Sequence, residues 1–215
     1  MLKIFFIFFL CAVSYKLSAQ ADSSNLTATH YDIDSLTKIY GIKKHLLKEF
    51  ELQTLIALSY YPELINEHII FKYSDINSTG QTTVTFGSIF KKINKQYIIF
   101  INNNILRTGF LLADAPFDAQ VAMLGHELAH VADFKSRGFF SMLWWGINYL
   151  VVKQRTVIEI STDASTIRHG LGWPLYSWAD FVLNHSNATK RYKKMRETKY
   201  MLPDEIIEYI SRHNL

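Results

Sequence analysis

Residues 125–130 read Gly-His-Glu-Leu-Ala-His, and three of these side chains could do chemistry together. On an α-helix, positions i and i+4 lie on one face, so His126 and His130 would direct two imidazoles at one point. Two neutral imidazoles suit Zn²⁺, which binds nitrogen at about 2.0–2.1 Å. Glu127, one step round the helix, could reach a metal-bound water without being a ligand. The simpler interpretation is an ordinary helix with two surface histidines.

A catalytic zinc ion needs a third protein ligand beside its water. The third histidine of the HExxHxxGxxH pattern is absent, and a thiolate is excluded because the single cysteine, Cys11, lies in the apolar N-terminal segment. Glu159 and Asp163 follow at i and i+4 on a later predicted helix. Glu159 could complete a His₂Glu site, and Asp163 could accept a hydrogen bond from a ligand histidine. The alternative for this acidic pair is an exposed helix face.

The motif His-Glu-Leu-Ala-His followed by Glu-x-x-x-Asp resembles the gluzincin metallopeptidases. It is most similar to the group around the CAAX prenyl protease and related bacterial endopeptidases, over about residues 97–175. The resemblance implies a zincin core, with an active-site helix, a second helix that carries a ligand, and an edge strand that pairs with extended substrate. Residues 97–101 are the candidate edge strand.

Carried over to this chain, the resemblance implies that His126, His130 and Glu159 bind zinc and that Asp163 supports a ligand histidine. Glu127 is then the general base of a zinc-dependent endopeptidase, which takes a proton from water and delivers it to the leaving amine of a peptide or protein substrate.

A peptidase also needs a donor for the oxyanion that forms on the scissile carbonyl. His169 is the first candidate, because it lies six residues after Asp163, near the end of the same predicted helix. Arg168 and Tyr176 are further candidates. The alternative for His169 is a solvent-facing side chain beside Gly170, which predicts the end of that helix.

The elements that must position these residues predict an α+β fold. Alternating or continuous apolar residues favour strands over 68–73, 82–86 and 97–101, with Gly80 in a turn before the second. Helical periodicity and helix-end signals predict six helices, over residues 35–58, 117–136, 153–169, 174–183, 190–200 and 203–210. We therefore expect a zincin-like arrangement, a small mixed sheet packed on a helical body.

Length and composition place the chain among globular proteins. It has 215 residues, of which 49% are hydrophobic and 20% charged, enough to bury a sizeable core. The net charge of +4 is mild, so we expect no nucleic-acid partner. We expect one domain over residues 35–215.

The N-terminus predicts export. Lys3 precedes an apolar run over 4–13 that is too short to span a bilayer, and small residues follow it, so residues 1–20 are typical of a signal peptide. Residues 21–34 are expected to be a flexible lead-in. We expect the chain in a periplasmic, cell-envelope or extracellular location.

Two other segments have open interpretations. Residues 138–152 are nearly all apolar and could make peripheral membrane contact through Trp144, Trp145 and Tyr149, although a buried helix or hairpin under the active site is the preferred interpretation. The basic run 190–196 could touch anionic lipid or nucleic acid, but a solvated helix face is preferred.

Two alternatives to an active peptidase remain at this point. One is a non-catalytic binding module with the zincin fold, against which the intact Glu127 argues, since metal binding alone does not require that carboxylate. The other is a peripheral membrane protein that uses residues 138–152.

Overall fold

The computed structural model describes residues 26–28, 31–89 and 95–215. The predicted signal peptide and most of the predicted lead-in lie outside the described residues. The described part consists of a small mixed sheet and a larger helical body, which confirms the predicted α+β class.

Four strands form the sheet in the described part of the chain: β1 (Lys44–His45), β2 (His68–Ser74), β3 (Gly80–Val84) and β4 (Gln96–Asn102). The α-helices that the structure describes are α1 (Ile33–Tyr40), α2 (Glu51–Ser59), α3 (Phe86–Ile89), α4 (Ile105–Thr108), α5 (Phe117–Ser136), α6 (Phe139–Leu150), α7 (Val152–Thr166), α8 (Gly172–Asp180), α9 (Lys190–Lys199) and α10 (Pro203–His213). Short 3₁₀ turns occupy Lys48–Phe50, Pro62–Leu64 and Leu112–Asp114, and π-helical turns occupy Ile167–Leu171 and Phe181–His185.

The order of the strands corrects the prediction of the edge strand. The sheet runs β1-β2-β4-β3, with β2 parallel to β4 and β3 antiparallel to it, so residues 97–101 lie inside the sheet. Tyr97, Ile99 and Ile101 are buried, and a strand this apolar is most stable with a neighbour on each side. The two edges of the described sheet are β1 and β3. The edge strand that contacts α5 is β3, which begins at Gly80 rather than after a turn there.

The predicted helix over 35–58 is divided in two. Gly41 ends α1, and Lys43 has a positive φ of 58°, which turns the chain out of the helix. Lys44 then pairs with Ile69 in β2 before α2 begins. The pairing is a contact with a distant residue, which outweighs the local helical periodicity.

The central helix α5 has the predicted bounds, 117–136, and it packs against β3, α2, α7 and α8. Asp118 occupies its first turn, where a negative charge is favourable. At its other end, the buried Lys95 donates hydrogen bonds to the carbonyl oxygens of Phe134 and Arg137. Both ends of the helix therefore carry a charge that stabilises the helix dipole.

Helix α6 carries an exposed apolar stripe, which contradicts the preferred interpretation of a buried helix. Phe140 is 82% exposed and Trp144 67%, and Leu143 and Ile147 are exposed as well. Spacings of three and four residues put these side chains on one side of the helix. Among the described residues, no helix is both long and apolar enough to cross a membrane.

Candidate metal centre

Helix α5 presents His126, Glu127 and His130 from a buried position in the middle of its length. The helix comes very close to the π-helical turn beside it at Gly125, where a Cβ atom would lie 2.3 Å from Cδ1 of Leu171. The small residue before the first histidine therefore lets α5 pack tightly against the chain that follows α7.

Helix α7 supplies the carboxylates. Glu159 is 1% exposed, and its Oε2 lies 3.3 Å from Nε2 of His126 and 3.4 Å from Nε2 of His130. One ligand atom from each of the three residues lies within 4.8 Å of the others. The structure thus brings together the two histidines and the carboxylate that the sequence predicts, from helices about 30 residues apart in the chain.

These separations fit a tetrahedral cation. Two ligand atoms that each lie about 2.1 Å from a tetrahedral zinc ion are about 3.4 Å apart. The distances from Glu159 to both imidazoles match this value without any movement of the side chains. Two imidazole nitrogens and a carboxylate oxygen are also the donor types that zinc takes in catalytic sites.

The second nitrogen of each histidine is also held. Nδ1 of His126 donates to Oδ1 of Asp163 at 2.8 Å, as predicted, and Oδ2 of Asp163 accepts the backbone N–H of Met201 at 2.9 Å. Nδ1 of His130 lies 3.4 Å from the hydroxyl of Thr162. Both rings therefore turn Nε2 towards Glu159, and the sequence had given no sign of Thr162 or Met201 in this role.

The charges around the cluster favour a cation. Burial lowers the pKa of His126, but hydrogen bonds to Asp163 and Glu159 raise it more, and the pKa is about 10 in the metal-free protein. Burial also acts to raise the pKa of Glu159, yet hydrogen bonds from His126 and His130 keep that pKa well below its usual value. The cluster stabilises a positive charge at its centre, which a divalent cation would also supply.

Strand β3 positions Glu127. The Thr82 hydroxyl donates to Oε2 of Glu127 at 2.6 Å, so one carboxylate oxygen is fixed. A Cβ atom at Gly80 would lie 2.6 Å from Oε1 of Glu127 and 2.9 Å from Sδ of Met123, so only glycine allows β3 to pass this close. Sequence reasoning missed both residues, because they lie more than 40 positions before Glu127.

The cluster opens into a cavity of about 550 Å³. Glu127, His130 and Glu159 line it, together with β3 and one side of α9. The chain therefore offers a space next to the proposed metal ligands that can admit a substrate.

The structure does not bring His169 to this cavity. The π-helical turn contains Gly170 with φ of 93°, and His169 stacks on Tyr61 at 4.2 Å, with Nε2 3.0 Å from Oε1 of Glu63. Arg168 donates to the Tyr209 hydroxyl instead. Like His169, neither Arg168 nor Tyr176 is part of the cavity lining.

Helix α9 is only partly the solvated face that the sequence favours. Arg191 lines the cavity. Arg196 is 5% exposed, and its guanidinium carbon lies 3.9 Å from the centre of the Tyr200 ring. The ring of Tyr200 is in turn 5.7 Å from that of His126. The basic run therefore supplies part of the site.

Comparison with known proteins gives no match: no family model matches the chain, and neither curated proteins nor solved structures yield a significant match. Any functional assignment has to come from the chemistry and geometry of the residues themselves.

Proposed function

We propose that this protein is a zinc-dependent endopeptidase of the zincin type. The observation that carries the proposal is the buried convergence of His126, His130 and Glu159, in which Glu159 lies at tetrahedral spacing from both imidazoles and Glu127 lines the adjoining cavity. Metal binding alone would not require Glu127, but hydrolysis does require a base at that position.

The three ligands would hold zinc, which when bound activates water and polarises the scissile carbonyl. Glu127 accepts the proton of the attacking water and returns it to the leaving amine. The hydroxyl of Thr82 holds one oxygen of Glu127, so the other oxygen is the one that moves the proton. Asp163 keeps the ring of His126 in one orientation throughout.

Strand β3 is the surface on which an extended peptide would bind. The backbones of Thr79 and Thr85 form hydrogen bonds with β4. In an antiparallel pair, the backbone N–H and C=O groups of alternate residues point away from the neighbouring strand. Thr82 is one of the residues whose backbone groups point away from β4, and no described strand pairs with that side. A peptide that adds itself to this edge would lie directly beside Glu127, which the side chain of the same threonine contacts.

Tyr200 replaces His169 as the proposed oxyanion donor. It lines the cavity, its ring lies beside that of His126, and Arg196 packs on it. A phenolic hydroxyl next to a ligand histidine is suited to donate to a developing negative charge.

The direct test compares the protein with its Glu127→Gln variant, which has nearly the same shape. We expect zinc in both after purification, by elemental analysis, and cleavage of casein or a quenched fluorescent peptide only by the unmodified protein. Cleavage that persists in Glu127→Gln would contradict the assignment of the base. Cleavage by neither protein, with zinc bound, would favour a non-catalytic binding module.

A second function is supported by a separate observation. The exposed stripe on α6 combines Trp144 with aliphatic and aromatic neighbours, a composition that suits the interface of a lipid bilayer. We propose that this side of the protein makes peripheral membrane contact, which is compatible with peptidase activity. Export of the chain stays a prediction.

A further inference from the structure

One wall of the cavity is a stripe of α9. Arg191, Met195 and Lys199 follow one another at intervals of four residues, so they share one side of the helix, and all three line the cavity. Arg155 joins them from α7. Helices α7 and α9 therefore supply three cationic side chains to the space beside the proposed zinc ligands.

The acidic side chains of the same cavity are already engaged. Glu159 belongs to the metal cluster, and Glu127 accepts the hydrogen bond of Thr82. Asp75, the other acidic residue of the lining, is bound by Arg107 through two hydrogen bonds of 2.5 and 3.0 Å.

On the α9 stripe, Arg191 and Lys199 lack such partners in the described part of the chain. Among the described residues, no carboxylate lies within 4.0 Å of the charged group of Arg191 or Lys199. Arg155 lies 3.7 Å from Oε1 of Glu159. Burial lowers the pKa of Lys199, and the like charge of Arg155 lowers it further, while the carboxylate of Glu159 acts in the opposite direction. An anion between Lys199 and Arg155 would relieve the repulsion between these like charges.

We propose that Arg191, Lys199 and Arg155 form a subsite for an acidic side chain of the substrate. This subsite rests on the proposed function, and it makes the enzyme selective for peptides that carry Asp or Glu close to the scissile bond. Arginine offers paired donors to a carboxylate and lysine a mobile point charge, so both aspartate and glutamate fit.

Binding to the Glu127→Gln protein loaded with zinc tests the subsite without turnover. The probes are fluorescent peptides that differ only by Glu or Gln, placed in turn at each of the positions near the scissile bond. We expect the acidic peptide to bind about tenfold more tightly at one position or more, the sum of several solvent-accessible charge contacts. The preference should fall below about twofold at 1 M salt, where such charges are screened.

Removing the charges of the α9 stripe by substitution is the second part of the test. Adding Arg191→Gln and Lys199→Gln should remove the preference for the acidic peptide. Lys194→Gln is the matched control, because it changes the charge on the same helix at a side chain that is 74% exposed and outside the cavity lining. This control should keep the preference.

The outcomes separate the two proposals. Equal binding of the Glu and Gln peptides at every position, or a preference that survives both high salt and the double substitution, would overturn the subsite. The binding measurement at 1 M salt tests the subsite even where the double variant does not fold. If acidic peptides bind preferentially but the unmodified protein cleaves none, the subsite stands and the endopeptidase proposal fails. If the unmodified protein cleaves peptides without any charge preference, the endopeptidase proposal stands and the subsite fails.

Discussion

The carboxylate of Glu159 is almost wholly buried, and a buried carboxylate is costly unless a positive charge compensates it. In the metal-free protein both histidines contact it through Nε2, at 3.3 and 3.4 Å, and the raised pKa of His126 provides a compensating positive charge. A zinc ion at the same point would compensate it better, because it would satisfy all three ligands at once. We therefore propose that the arrangement is most stable with a cation bound.

Asp163 should control the affinity for zinc, since it holds His126 through one oxygen and the backbone of Met201 through the other. We expect Asp163→Asn to weaken zinc binding about 10–100-fold, as measured by competition with a chromophoric chelator. Asp133→Asn, which removes a carboxylate paired with Arg137 at the end of α5, is the control and should bind zinc normally. Unchanged affinity in a folded Asp163→Asn protein would argue against the supporting role.

Spacing predicted the site residues that share a helix turn, and it failed for the others. His126 and His130, and Glu159 and Asp163, are pairs at i and i+4, whose common face is a local property of a helix. Thr162 supports His130 with a hydroxyl that has no sequence signature. His169 was placed by its nearness in sequence to Asp163, whereas the turn at Gly170 leaves it beside Tyr61 and Glu63.

At the scale of elements, the positions of β2, β3 and β4 were predicted approximately, whereas β1 and the order of the strands were not. The apolar character of residues 97–101 predicted a strand, and β4 is there. Which strand lies at the edge depends on pairing between distant segments, and neither the apolar run nor its turns carry that information. The polar strand β3, with Thr82 and Thr83, is the one that takes the exposed position beside α5.

Strand β3 lies close to Glu127 at Gly80, and a substitution of this glycine tests whether the close approach is needed. Gly80→Ala places a methyl group against the carboxylate and Met123, so we expect a loss of about 1–3 kcal/mol in the free energy of unfolding. Because the base is also displaced, we expect peptidase activity to fall about 10–100-fold, with zinc content unchanged. Chemical denaturation and a fluorescent peptide assay measure the two effects.

Gly87→Ala is the matched control, since a Cβ atom there would meet no other atom within 4 Å. It should change neither stability nor activity appreciably. If the two glycine variants behave alike, then β3 does not need to approach Glu127 so closely.

On the scale of the whole molecule, the cavity and helix α6 present surfaces of different chemical character. The cavity presents cations from α7 and α9, whereas α6 presents the apolar stripe that begins at Phe140. Composition predicted the apolar character of residues 138–152 but not their exposure. Exposure depends on how much of the helix the rest of the fold covers, and that is a property of the packed molecule.

The stripe predicts binding to vesicles. We expect the protein to float with liposomes that contain anionic lipid, and the Phe140→Ser/Trp144→Ser double variant to float several-fold less, because it loses the largest exposed apolar side chains. Leu106→Ser controls for the loss of an exposed apolar residue elsewhere, on α4. A protein that stays in the aqueous fraction with neutral and anionic vesicles alike would rule out this contact.

Two histidines of α5 and a carboxylate of α7 are the proposed ligands of one shared zinc ion. The most direct test of this assignment is a zinc titration of the metal-depleted protein, followed by X-ray absorption spectroscopy at the zinc edge. We predict one zinc per chain with two imidazole ligands and one carboxylate ligand, and a large loss of affinity in Glu159→Gln. Failure to bind zinc stoichiometrically, or equal affinity in Glu159→Gln, would contradict the account.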